Sequence, residues 1–453
     1  MATGNATPGG RVIRPSARLP SDRDEKDVRD VSFRFVHAAD FHLDSPFMGI
    51  RETEPNVTDI LRRATFDAYE HLIQLCIDRG AAALLVAGDV FDGADRSLAA
   101  QIQFVRGLER LNDAGMRAFI CHGNHDPLDG WGARLAMPSN VHQFGDSAEA
   151  VPVDPRVPSG PVVCGISYPT REMRSSLLPG FPAPEPGRFT IGLLHANVGA
   201  STGHEAYAPC SLEDLAATGY DYWALGHVHT RAILRDQSPI VVYPGNTQGR
   251  HPNERGPRGV YIVDVDEHGS MSREFVAVDA VRWEQLDVQI DGIEDDGVLF
   301  NRLETEVEDR LTRADDRHLV YRLRLRGRGP VHESIARPGN IEGLSTQLNE
   351  VWARRVPFAF CGGVLDETRS ELDRAALREG KDFIGDFLAL ADQVSLDEGL
   401  VADLHQALAP LYDNTRAHKF LGGTRPSTDD VRALVAAAED IALELLVDDE
   451  AGG

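Results

Sequence analysis

The chain is short of three things, and each shortage closes off a class of protein. Its five cysteines (Cys76, Cys121, Cys164, Cys210 and Cys361) are scattered through 453 residues with no CxxC spacing, which argues against a disulfide framework and against a zinc knuckle and favours a reducing cytoplasm. Basic residues are outnumbered, 46 Lys and Arg against 71 Asp and Glu for a formal net charge of −25. Such a surface opposes non-specific adhesion to nucleic acid, so a phosphate-bearing substrate needs local positive charge or bound metal. No apolar run approaches the ~20 residues of a membrane span, and the polar first 30 residues lack the apolar core of a secretory signal.

What remains is ordinary for a soluble protein, 42% hydrophobic and 26% charged, and too long for a single core. Four segments are expected. Residues 1–30 read as a disordered extension, 31–280 as an α/β domain, 281–362 as a smaller α+β domain and 363–453 as an acidic helical region. From Cys361 onward there are 20 Asp and Glu against 8 Lys and Arg, a net of −12, which makes this end a poor grip for DNA. Its helices are expected at Lys381–Val394, Leu396–Tyr412 and Thr428–Val447, with Ser427 or Thr428 as the N-cap of the last. Phe383, Phe387, Leu388, Leu390, Leu434, Ile441 and Leu445 form an apolar stripe suited either to packing at home or to docking a partner.

Five apolar, β-prone runs carry the functional signal: Val31–Val36, Ala81–Ala87, Met116–Ile120, Phe189–Leu194 and Tyr220–Leu225. The segments HAADFH, GDVFD, CHGNHD, HANVG and GHVHT follow them in turn. Amphipathic helical spacing separates the first three runs, so the order reads β-α-β-α-β, and in such folds ligands gather at the carboxyl ends of the strands. If each polar segment stays extended, residues two apart face one way, so Asp40 can share an ion with His42, and His227 with His229. Asp89 follows Gly88 and can bridge two cations; Asn124, His125 and His195 complete an oxygen and nitrogen set. Any one of these motifs is more often a turn than a ligand, but packing alone does not place ligands after five successive runs. Donors without thiolate suit Mn²⁺ first, with Fe or Zn²⁺ as alternatives.

The ordered set DFH, GDVFD, GNHD, HANVG and GHVH resembles the calcineurin-like metallophosphoesterase superfamily and, within it, the DNA-repair exonucleases of the SbcD and YhaO type. HAADFHLDSPF and YPGNTQGRHPNERGPRGVYIV strengthen the likeness, which covers about Phe33–Phe360. The resemblance implies a four-layer β-sandwich flanked by helices, followed by a capping domain that helps admit nucleic acid. It implies a first metal on Asp40, His42, Asp89 and His229 and a second on Asp89, Asn124, His195 and His227. His125 is then a catalytic residue at the scissile phosphate and Asp92 orients it. Several enzymes of this type carry histidine where this chain has Asp92, whereas phosphatase branches carry aspartate.

Arg250 and His251 are candidates for a phosphate-contacting loop, against the alternative of a polar turn. Arg322, Arg324 and Arg326 share one face of a strand and could track a DNA backbone, or form a solvated face balanced by acids such as Glu304 and Glu308. Asp44, His122 and Asp126 are read as loop formers rather than ligands. The leading expectation is a Mn²⁺-dependent DNA nuclease working with an SMC-like coiled-coil ATPase of the SbcC or YhaN type, and as a homodimer. A phosphodiesterase or phosphatase for nucleotides or other small phosphoesters is the first alternative, and a non-catalytic scaffold subunit the second.

Overall fold

The computed structural model describes residues 31–50, 54–93, 97–130, 135–199, 207–369, 371, 374–413 and 426–451; the expected extension, 1–30, lies outside them. One compact unit comprises Met1–Val288, Leu299–Leu325 and Arg337–Asp366, and the other Gln289–Val298, Arg326–Ala336 and Glu367–Gly453.

The first unit is built on two six-stranded sheets. In sheet one, β1 (Val31–Ala38), β2 (Ala83–Ala87), β3 (Arg117–Cys121) and β4 (Val141–Gln143) run parallel, and β11 (Gly259–Asp266) and β12 (Met271–Ala277) add antiparallel beside β1. Sheet two has the order β5 (Glu149–Pro152), β6 (Val162–Gly165), β7 (Thr190–His195), β8 (Tyr222–Gly226), β10 (Ile240–Tyr243) and β9 (Ala232–Asp236), with β6, β7, β8 and β10 parallel.

Alternation along the strands assigns each side chain to a layer. Leu84 and Val86 of β2, with Ala118 and Ile120 of β3, face helices α1 (Pro55–Asp78) and α2 (Leu98–Asp113), meeting Leu72, Ile73, Phe104 and Leu108. Their neighbours Leu85 and Phe119 face inward and pack on Ile191, Leu193, Tyr222 and Val242 of sheet two. Trp223 and Leu225 point out of sheet two to a layer that includes Leu215 of the short helix α3 (Leu212–Ala217). Helix, sheet, sheet and helix layers thus form the α/β sandwich expected of this motif order. Among the described residues no helix is long and apolar enough to cross a membrane.

A three-stranded sheet of β13 (Val281–Gln289), β14 (His318–Arg328) and β15 (Ala359–Arg369) follows. Val281, Trp283, Val320, Phe358 and Phe360 pack on Val57, Leu61 and Ala64 of α1, so this helix serves two cores. Helices α4 (Asp296–Arg313), α5 (His332–Ile335) and α6 (Asn340–Trp352) lie between these strands in the chain. The second unit contains α7 (Arg374–Glu379), α8 (Phe383–Leu396), α9 (Glu398–Asp413) and α10 (Thr428–Ala451). Ser427 caps α10, its hydroxyl accepting from the Asp430 amide at 3.2 Å. Leu388 of the expected apolar stripe is buried with Ile384 and Leu443, whereas Phe383, Leu390, Leu434 and Ile441 are exposed.

Candidate metal centre

All the expected ligands sit at or just past the carboxyl ends of five strands, and sheet one delivers Asp40, His42, Asp89 and Asn124 while sheet two delivers His195, His227 and His229. The backbone there is not extended. Asp40 (φ 53°), His42 (φ 45°), Asp89 (φ 53°) and His227 (φ 99°) are left-handed, a conformation that costs a side-chain-bearing residue on the order of 1–3 kcal/mol. Asp40 and His42 therefore converge by a turn, held by Asp40 N to Gly88 O and His42 N to Asp89 O, both 3.1 Å, and not by strand alternation as the spacing suggested.

The donors meet in two abutting sets. His42 Nε2 and His229 Nε2 lie 3.0 Å apart, with ligand atoms of Asp40, His42 and His229 all within 4.8 Å of one another. His229 donates Nδ1–H to Glu254 Oε1 at 2.6 Å, and burial holds His42 neutral, its pKa lowered to about 4. Burial alone would lower the His229 pKa, but the Glu254 hydrogen bond and the Asp40 charge overcome it and raise it, so the Nε2 proton of His229 points at the Nε2 of neutral His42, a place a cation can take by displacing that proton. In the second set His195 donates Nδ1–H to Ala87 O at 2.9 Å, turning Nε2 toward Asn124 Oδ1 at 3.0 Å and Asp89 Oδ2 at 3.3 Å. His227 Nδ1 reaches the same Asn124 oxygen at 3.2 Å.

The carboxylates point the same way. Burial, with the charge of Asp89 behind it, pushes Asp40 up to about 6. Burial would also raise Asp89, but the charge and hydrogen bond of His195 overcome it and hold Asp89 well below the usual carboxylate range. Two buried carboxylates among converging imidazoles are a donor set that divalent cations satisfy. Glycine makes room for it: a Cβ on Gly226 would overlap the Ala87 carbonyl oxygen, and one on Gly123 would strike the Asp89 carboxylate and lie 2.7 Å from His195 Nε2.

His125 is partly exposed beside this centre. Its amide donates to Asp89 Oδ1 at 2.9 Å and its Nδ1 lies 2.7 Å from Asp92 Oδ1, a bond that raises the imidazole pKa. Asp92 also accepts from Ser45 Oγ at 2.8 Å and from Arg250 Nη1 at 3.0 Å; the hydrogen bond from His125, with His42 Nδ1 3.7 Å away, holds it far below the usual carboxylate range.

The calcineurin-like phosphoesterase family model matches residues 33–231, and that of the metallophosphoesterase YhaO middle domain matches 283–361. Metallophosphoesterase YhaO of Bacillus subtilis is 35% identical over 344 residues, covering 74% of this chain and 82% of that protein. The chain belongs to the calcineurin-like phosphoesterases. The DNA double-strand break repair protein Mre11 of Saccharolobus solfataricus is 24% identical over 242 residues, 52% of this chain and 61% of that one. A dimetal phosphatase from Danio rerio superposes with a TM-score of 0.35 at 12% identity, covering 55% of this chain and 97% of that one. The chemistry of this phosphoesterase is metal-dependent phosphoester hydrolysis.

Other expected residues of the phosphoesterase scatter. Arg250 reaches the centre through Asp92, whereas His251 turns back, its Nδ1 accepting from Asn253 N at 3.1 Å. The arginine row is paired, but not with Glu304 and Glu308. Arg324 makes a two-pronged bond to Asp287 of β13 at 2.7 and 2.8 Å, and Arg326 reaches Glu367 of β15 at 2.9 Å, because adjacent strands bring carboxylates closer than the preceding helix can. Arg322 is exposed, its Nη2 3.2 Å from where a Gly49 Cβ would stand and that same Cβ 3.0 Å from Pro252 Cγ, next to the Arg250 loop. Asp126 is a buried staple: Oδ1 accepts from Asp89 N and Gly123 N at 3.2 and 2.8 Å, and Oδ2 from Val90 N at 2.9 Å. Asp44 offers its amide to Thr65 Oγ1 at 3.1 Å. Glu254, on His229, was missed; in NERGP nothing but its charge marks it.

Proposed function

We propose that this phosphoesterase is a Mn²⁺-dependent DNA nuclease acting in double-strand break repair. The observation that carries the reading is the pair of ligand sets meeting at Asp89, with the His125–Asp92 pair hydrogen-bonded to the same residue. In it, Asp40, His42, Asp89 and His229 would hold one ion and Asp89, Asn124, His195 and His227 the other. Bound divalent cations supply Lewis acidity and an activated water. His125, its Nδ1 committed to Asp92, keeps Nε2 for the scissile phosphate, where the imidazolium favoured by Asp92 donates a proton to the leaving oxygen. The name of the Mre11 relative and the exposed Arg322 support DNA as substrate; Arg250, His251 and the paired Arg324 and Arg326 would lend further contacts once their partners are exchanged for phosphate.

A partner fits the helical unit. Phe387, Leu390, Val394, Leu400, Leu404 and Val435 line an apolar cleft of about 610 Å³ there, and the acidic sequence around it suits the basic face of an amphipathic helix, as an SMC-like coiled-coil ATPase would offer. The five cysteines, all buried and free, suit a reducing cytoplasm.

A second reading, hydrolysis of small phosphoesters, draws on the same page. Asp92 stands where several such nucleases carry histidine, and carboxylates already neutralise Arg324 and Arg326. End-labelled linear DNA and bis-p-nitrophenyl phosphate, each with Mn²⁺, separate the readings. Cutting of both, abolished by chelator and by His125→Asn, supports the nuclease. Hydrolysis of the small diester alone, with and without an added ATPase partner, overturns it in favour of the second reading.

A further inference from the structure

We infer that Glu254 is a positioning residue that ties the metal ligand His229 to the His125–Asp92 pair by way of Arg250. Its two oxygens divide the work. Oε1 accepts from His229 Nδ1 at 2.6 Å, which fixes the ring's tautomer and leaves Nε2 for the cluster with His42 and Asp40. Oε2 accepts from the amides of Arg250 at 2.7 Å and His251 at 3.2 Å, so the same carboxylate sets where the chain places the Arg250 side chain. From there the line continues: Arg250 Nη1 to Asp92 Oδ2 at 3.0 Å, and Asp92 Oδ1 to His125 Nδ1 at 2.7 Å. The Glu254 side chain is only 14% exposed and that of Arg250 13%, so water does not readily replace the bonds that Glu254 accepts, while Asp92 at the far end of the line is 36% exposed.

Three donors converge on Glu254, and only an acceptor on both prongs satisfies them. Glutamine, of the same size, must turn an NH₂ toward either His229 Nδ1–H or the two amides. Aspartate keeps the charge but is one methylene too short to span His229 and the loop together. Partners that orient a ligating histidine in this way change metal affinity by about 10–100-fold when removed. What distinguishes Glu254 is that its second oxygen carries the effect on to the group that handles the leaving oxygen.

The inference rests on the phosphoesterase reading of the site, and its first test needs no turnover. Full-length wild type, Glu254→Gln and Glu254→Asp are stripped with chelator, checked for cooperative metal-free unfolding well above the assay temperature, and titrated with Mn²⁺ by calorimetry. Both variants should lose about 10–100-fold affinity at one of the two sites. With Mn²⁺ saturating, bis-p-nitrophenyl phosphate kinetics should still show a reduced kcat, a smaller change in KM, and a displaced pH–rate profile. Unchanged Mn²⁺ affinity overturns the role at His229. Weakened affinity with kcat and pH profile fully restored by saturating Mn²⁺ overturns the tie to His125. Should Glu254→Gln unfold, Glu254→Asp carries the same comparison, and additive losses in an Asp92→Asn combination also overturn the tie. Wild type that binds Mn²⁺ but hydrolyses no diester would strike the functional reading and leave the affinity result standing.

Discussion

Replacing Asp126 by asparagine should loosen the metal centre without touching a metal ligand, and the structure indicates by how much. The buried carboxylate receives Asp89 N and Gly123 N on one oxygen, and Val90 N and His122 Nδ1 (3.3 Å) on the other. Asparagine can turn its oxygen to only one side, so its NH₂ faces at least one backbone N–H. The better orientation keeps the Asp89 and Gly123 bonds but gives up those to Val90 N and His122 Nδ1 and leaves the Val90 amide unsatisfied, for a net cost of about 2–4 kcal/mol. In urea unfolding with chelator present, followed by fluorescence of the buried Trp223 and Trp283, the midpoint should fall by roughly 1 M at an m value of about 3 kcal/mol/M. Because the staple holds the loops that bear Asp89 and Asn124 together, Mn²⁺ affinity should fall as well. A variant within about 0.5 kcal/mol of wild type, with unaltered Mn²⁺ affinity, would refute the argument.

Three other substitutions test separate parts of the account. His125→Asn should keep Mn²⁺ affinity and lower kcat on bis-p-nitrophenyl phosphate by about 10²–10⁴-fold; an unchanged rate would remove His125 from the reaction. Arg322→Ala, in a His125→Asn background, should weaken binding of linear DNA and reduce the slope of log affinity against log salt by about 0.9 for one lost phosphate contact, read by fluorescence anisotropy; an unchanged slope would take Arg322 off the DNA path. His37 is buried, its ring on Tyr222 Oη and Leu225 O, and burial lowers its pKa to about 3. The unfolded chain therefore binds the extra proton, and stability is full above about pH 6.5 and lost as pH falls toward 3; between pH 7.5 and 5 the loss is about 2 kcal/mol. His37→Gln should flatten that part of the stability profile in chelator, and parallel profiles would contradict the assignment.

Much of this is legible in the sequence, for a definite reason. Buried strands need unbroken apolar runs, and a residue such as Asp89 or His195 directly after one has no packing reason to be there. The residues at 84–87 and 118–121 read as strands because both sheet faces are covered. Glu254 was illegible because its partner lies across a chain reversal, in a turn whose Pro and Gly dominate the local signal. Asp287 and Glu367 were invisible as partners of Arg324 and Arg326 for the same reason: strand pairing sets their proximity, not distance along the chain. The left-handed turns at Asp40 and His42 also escaped, since spacing alone cannot distinguish a tight turn from an extended pair.

The division of ligands between the sheets has a consequence for the life of the protein in a cell. Sheet one carries Asp40, His42, Asp89 and Asn124, sheet two carries His195, His227 and His229, and ions shared among them, as proposed above, would act as a clasp across the sandwich. Opening that clasp would require metal release, so each bound ion would add to folding stability in proportion to the logarithm of its free concentration over its Kd. Metal starvation would then do more than silence the enzyme. It would expose the chain to proteolysis, making abundance as well as activity a readout of metal supply.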